Sequence, residues 1–90
     1  MIRQPKRDKC YTVEVNLVKN NVVQGSICID TEAYATNPAD AVVFAMRKIG
    51  YNITKNNLTK LPQVNTLCAK VCLLGGTKES VTYYNIINVR

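Results

Sequence analysis

The chain contains no histidine. That absence excludes a Ser-His-Asp or Cys-His nucleophile, a histidine general base and any metal site built on imidazole. No glycine-rich element precedes a helix, so there is no phosphate-cradling loop; Gly75-Gly76 reads as a turn. No stretch approaches the ~18 consecutive apolar residues of a membrane span. The first twenty residues begin basic but lack the continuous apolar segment of a secretory signal. The Asn-X-Thr patterns at Asn52 and Asn57 therefore carry no expectation of glycosylation. An enzyme, a cofactor and a metal are all unexpected on these grounds.

Cysteine is present four times but in no Cys-x-x-Cys pair. Cys68 and Cys72 fall four residues apart in a strand-like run, which sets their Cα atoms ~13 Å apart at ~3.3 Å per residue. A disulfide requires less than about 7 Å. Cys10 and Cys28 stand alone, and zinc sites usually draw their ligands in close pairs. Free thiols in a cytoplasmic or other reducing intracellular compartment are the expectation, with no secretion.

What the chain does have is an ordinary globular balance, 47% apolar and 20% charged, in ninety residues, enough for one core. It also has positive charge: twelve Lys and Arg against six Asp and Glu, net +6. Arg3, Lys6, Arg7 and Lys9 crowd the first nine residues, opposed only by Asp8. Residues 1–9 read as a basic arm and 10–90 as the domain.

Along that domain, Cys10 to Val18 alternates with Tyr11, Val13, Val15 and Leu17 on one side, the pattern of a half-buried strand. A second strand from Gly25 to Thr36 sets Ile27, Ile29, Ala33 and Ala35 on one side and Cys28, Asp30, Glu32 and Tyr34 on the other. Lys19-Asn20-Asn21 is the turn between them, since asparagine tolerates left-handed angles. A two-residue loop would pair Val13 with Cys28 and Val15 with Ser26, mixing apolar and polar sets. An odd-length loop pairing Val13 with Ile29 and Val15 with Ile27 is therefore predicted.

Asn37-Pro38-Ala39-Asp40 announces a helix: a capping side chain, proline at the first helical position and a carboxylate in the first turn. It is predicted over about 38–49, with Arg47 and Lys48 in its last turn and Gly50 as the stop. Val42, Ala45, Met46 and Ile49 form its apolar stripe, flanked by Ala39 and Val43. Residues 51–65 read as a long polar connection anchored by Ile53, Leu58 and Leu61, with room for one short strand or helical turn. Thr66 to Leu74 and Ser80 to Val89 complete the strands. The fold class is α+β: a four-stranded antiparallel sheet, order β-β-α-β-β, with one helix on one face.

That arrangement leaves a second sheet face carrying Cys28, Tyr34, Cys68, Cys72, Leu74, Tyr84 and Ile86 among Thr12, Glu14, Asp30, Glu32, Lys70 and Thr82. It is more apolar than a solvated face should be. Tyr11 and Tyr83 fall on the core side, leaving Tyr84 as an outward ring. Phe44 lies opposite the helix stripe beside Lys48 and Arg47; either it faces solvent or residues 51–65 cover it. Asp30 and Glu32 read as a solvated pair, and Cys28 beside them has no base to activate it.

Two function classes follow. The first is a nucleic-acid-binding accessory domain, with Arg3, Lys6, Arg7 and Lys9 on phosphates and Arg47, Lys48 and Lys55 extending the track. The second is a protein-binding or self-assembling module, an inhibitor or scaffold, contacting its partner through Phe44, Arg47, Lys48, Tyr84 and Ile86. Small viral and mobile-element proteins that bind host factors share this size and layout, an analogy of scale alone. No membrane and no small-molecule substrate is indicated.

Overall fold

The computed structural model describes residues 9–60, 66–75 and 80–87. The architecture is α+β: one helix, α1 (Pro38–Lys48), and an antiparallel sheet of β1 (Lys9–Lys19), β2 (Val22–Ala35), β3 (Leu58–Thr59), β4 (Thr66–Leu73) and β5 (Val81–Ile86). The sheet has five strands in the order β2-β1-β4-β5-β3, one more than expected. The addition is the two-residue β3, carried in the polar connection after the helix. There Thr54 and Asn57 cap a single 3₁₀ turn (Lys55–Asn57) reciprocally: the Asn57 side chain accepts from the Thr54 N–H at 3.0 Å, and the Thr54 hydroxyl from the Asn56 N–H at 3.2 Å. Asn57 then donates through Nδ2 to the Ile87 carbonyl at 2.8 Å, which fastens β3 to β5. Among the described residues no helix is long and apolar enough to cross a membrane.

The helix forms as its sequence dictates. Asn37 Oδ1 accepts from the Asp40 N–H at 2.9 Å and its Nδ2 donates back to the Asp40 carboxylate at 3.1 Å, so cap and first turn hold each other. At the other end Gly50, at φ 99, turns the chain back. Tyr51 N–H then reaches the Met46 carbonyl at 3.0 Å and Gly50 N–H the Arg47 carbonyl at 3.1 Å, the paired bonds of a Schellman motif. This closure moves Ile49 out of the predicted stripe. It is the cap residue, 44% exposed, and Ala41 takes its place beside Val42, Ala45 and Met46.

The helix covers the sheet face bearing Tyr11, Val13 and Val15 from β1, Ala69 and Val71 from β4, and Cys28, Ala33 and Ala35 from β2. Buried alanines on both sides let the helix lie close to the strands. β1 and β4 keep one register throughout, Tyr11 opposite Leu73 to Val18 opposite Thr66.

β2 does not keep one register. It is fourteen residues long against eleven in β1, and the excess is absorbed at three register shifts. The connecting loop is Asn20-Asn21, both at positive φ (51° and 64°), a two-residue turn rather than the odd-length loop predicted. Val13 faces Asp30 and Val15 faces Cys28, not Ile29 and Ile27. The apolar set re-enters the core only beyond a bulge opposite the Tyr11–Val13 step, where Ala33 and Ala35 turn inward. The Asp30 carboxylate accepts from the Glu32 N–H at 3.0 Å and shapes that bulge.

The same inversion affects β5. Tyr84 lies opposite Ala69 and Ile86 opposite Leu67, so both share the helix-covered face and Ile86 is buried. Tyr83 is the ring that points out, 57% exposed. The smallest residue of β4 leaves room for the ring of Tyr84, which decides the side.

In urea denaturation, Met46→Ala is expected to lower stability by about 2–5 kcal/mol and Asn37→Ala by about 1 kcal/mol. Ile49→Ala should change it by less than about 0.5 kcal/mol, as befits an exposed position. A large loss at Ile49 would restore the predicted stripe.

Candidate functional site

The outer face of α1 aligns Asp40, Phe44 and Lys48 at successive i, i+4 positions. Phe44 is 42% exposed, so the connection after the helix does not cover it. Its own neighbours set its position. The Lys48 ammonium stands 4.6 Å from the ring centroid and 3.1 Å from Asp30 Oδ2 on β2. That carboxylate oxygen is buried and meets the ammonium as an ion pair rather than as an aligned hydrogen bond. Lys48 thereby ties the helix to the bulge of β2 and lies against the phenylalanine ring.

Beside Phe44 is a shallow depression of about 380 Å³ between the end of β2 and α1, lined by Tyr34, Val43, Asp40, Phe44 and Arg47. Tyr34 is 41% exposed. Cys10, through its charge and its hydrogen bond, and secondarily Glu32 push the Tyr34 phenol above its ordinary range. A phenol is neutral at physiological pH with or without that shift, so the ring is available as a hydrogen-bond donor. Two exposed rings, one carboxylate and one guanidinium on an open surface suit a protruding side chain, whereas small-molecule sites are deep and nearly enclosing. Tyr34 and Val43 were not assigned to this site from the sequence. The usable signal was Tyr34 sitting three residues before the helix cap.

The predicted cations are placed as follows. Arg3, Lys6 and Arg7 lie outside the described residues. Lys9 is the first residue of β1 and pairs with Ala35, which also borders the depression. Arg47 donates through Nε to the Ile53 carbonyl at 3.1 Å and anchors the connection. Lys55 pairs with Asp40 at 3.5 Å. Arg47, Lys48 and Lys55 thus have intramolecular partners, which lowers the positive potential they offer to a phosphate.

Two predicted contact residues are removed from the surface. Ile86 belongs to the core, and Tyr84 is half-buried against it with the Lys60 ammonium 5.5 Å from its ring. Cys28 and Asp30 likewise leave the second face for the helix-covered one, because the bulge reverses their side. The second face instead presents Val23, Ile29, Tyr34 and Tyr83 around Glu14, Asn16 and Lys70. Ser26 donates there to Asn16 Oδ1 at 2.7 Å. No group of three or more potential metal ligands occurs among the described residues.

No family model, curated protein or solved structure matches the chain.

Cys28 is buried, its thiol 4.0 Å from the Ala45 carbonyl. Burial foremost, and then the Asp30 charge, raise its pKa, with Lys48 partly opposing them. A raised pKa leaves less thiolate at neutral pH. Mass spectrometry of the native protein treated with iodoacetamide at pH 7.5 should therefore find Cys28 alkylated last of the four. Modification of Cys28 before the half-buried Cys10 would contradict this account.

Proposed function

We propose that the chain is a protein-binding module whose contact site is the groove between Phe44 and Tyr34. One observation carries this reading: the chain's single phenylalanine is exposed and held against a lysine, beside a second exposed ring and an arginine. Aromatic and arginine side chains dominate the residues that matter most in protein interfaces. The Lys48 ammonium, 4.6 Å from the ring centroid, favours this orientation of Phe44 and so reduces the side-chain freedom lost when a partner closes over it. The reading is of a binder, inhibitor or scaffold, without chemistry of its own.

The test is photo-crosslinking from residue 44 in the cells of origin, followed by affinity measurement with the protein so identified. Phe44→Ala should weaken that complex about 30-fold or more, the size expected for an aromatic anchor. Tyr83→Ala, on β5 three strands away from β2, should leave it unchanged. Equal affinity of the Phe44→Ala protein would end this reading.

The net charge of +6 favours a second reading, binding to nucleic acid through Arg3, Lys6, Arg7 and Lys9 with the helix-end cations in support. On that reading affinity for a DNA or RNA duplex falls steeply with salt. Removing residues 1–8 should flatten the log–log slope by about 3, one ~0.9 step for each lost phosphate contact. Binding indifferent to salt, or to that truncation, would count against it.

A further inference from the structure

The depression between β2 and α1 has two charged side chains in its wall, Asp40 and Arg47. They stand about 10 Å apart along the helix axis, with Val43 and Phe44 between them. Their bonding differs. Both oxygens of Asp40 are engaged within the chain: Oδ2 accepts from Asn37 Nδ2 at 3.1 Å, and Oδ1 meets the Lys55 ammonium at 3.5 Å. Arg47 is engaged once, through Nε, and by a neutral group, the Ile53 carbonyl at 3.1 Å. Among the described residues its two Nη groups meet no acceptor and its charge meets no carboxylate. The neighbouring cations Lys48 and Lys55 each pair with an aspartate. We infer that the groove takes an acidic segment of a protein partner, with a Glu or Asp side chain on the Arg47 Nη pair and an apolar neighbour against Phe44 and Val43. The inference rests on the reading of this groove as the contact site and adds the chemistry of what enters it.

Charge complementarity selects that occupant. The bond through Nε orients the guanidinium plane and leaves its end-on fork, whose two N–H groups match the two oxygens of a carboxylate. Arg47 lies one helical turn beyond Phe44, so a partner that closes over the ring also covers the guanidinium. A wholly apolar segment would strip water from that cation and give it no acceptor, which opposes binding. A basic segment would meet Arg47 with like charge and find both Asp40 oxygens already engaged. The depression is shallow, so a side chain of a continuous segment reaches it without a free chain end. Phe44 and Arg47 are neighbours on one helix face. The acidic and apolar side chains of the partner must therefore also share a face, two positions apart in a strand or three to four in a helix.

The test is a titration of the full ¹⁵N-labelled chain with short Ala/Ser peptides carrying one Leu and one Glu, two, three or four positions apart. Acetylated and amidated ends leave the Glu side chain as the only carboxylate. At least one spacing is expected to shift the amide resonances of Val43, Phe44 and Arg47 with a dissociation constant in the millimolar range or below. Its Gln counterpart should bind at least about fivefold more weakly, and its Lys counterpart more weakly still. Because that exchange is made in the peptide, it leaves the Arg47–Ile53 bond and the fold untouched. In the Arg47→Gln protein, shown by its melting curve to be folded, the Glu and Gln peptides should bind alike. Phe44→Ala should weaken both by the same factor. Glu and Gln peptides bound equally by the parent, with both needing Phe44, would overturn the carboxylate and leave the groove as the contact site. A Glu preference that ignores Phe44→Ala would instead overturn the groove reading, and this inference with it. Binding of no peptide in the set overturns the inference, and the Phe44 reading is then judged by its crosslinked partner. A single-stranded oligonucleotide that binds through Arg47 where the peptides fail would assign the guanidinium to phosphate and equally overturn it.

Discussion

β1 and β2 lie side by side over almost their whole lengths, yet β2 sets fourteen residues against eleven. Much else depends on where the surplus goes. A strand reverses every side chain when its register slips by one, so three slips in one strand divide it into segments that face differently. The last slip, at the Asp30–Glu32 bulge, turns Ala33 and Ala35 toward the helix and leaves Tyr34 outward beside Cys10. It also holds Asp30 on the covered side, where its carboxylate can reach Lys48. An unbulged β2 would send Asp30 and Ala33 to opposite faces, and the helix would lose either its ion pair or its alanine seat.

That pair is worth more for position than for stability. Lys48 is half exposed, and ion pairs so placed contribute at most about 1 kcal/mol. What the contact provides is fixed geometry: one ammonium shared between a nearly buried carboxylate and the ring of Phe44. The same charge that is expected to meet a phosphate also ties the helix to β2.

The parts of the fold legible in the sequence are those governed by local chemistry or by a strict period. Asn37, Pro38, Asp40 and Gly50 mark the helix because caps and left-handed stops act within four residues. Tyr11, Val13 and Val15, and likewise Ala69 and Val71, face inward as their alternation indicates. β2 was misread because bulges are set by tertiary pairing and leave only a faint trace, here the Asp-Thr-Glu at 30–32. β5 was misread for a different reason. Val-Thr-Tyr-Tyr-Asn-Ile places one aliphatic residue, one tyrosine and one polar residue on each side, so alternation carries no preference. The small Ala69 across the ladder breaks the tie, and that neighbour cannot be known before the strand order is. The candidate site was half legible for the same reasons: Phe44 and its cations follow from the helical wheel, whereas Tyr34 joins them only through the bulge.

The helix shields one stretch of one sheet face, and β2 outruns it. Over residues 28–35 the strand is a wall of the core; over 22–27 it is exposed on both sides. One strand therefore borders two surfaces of different chemistry: an aromatic groove with fixed charges at the helix end, and an uncharged β edge at the hairpin end. They are separated along a single strand. Seven cations and four carboxylates lie among the described residues, a modest excess compared with the whole chain. Two of those carboxylates, Asp30 and Asp40, are paired with lysines of the helix and its connection. The described residues are thus closer to electrically balanced than the composition suggests.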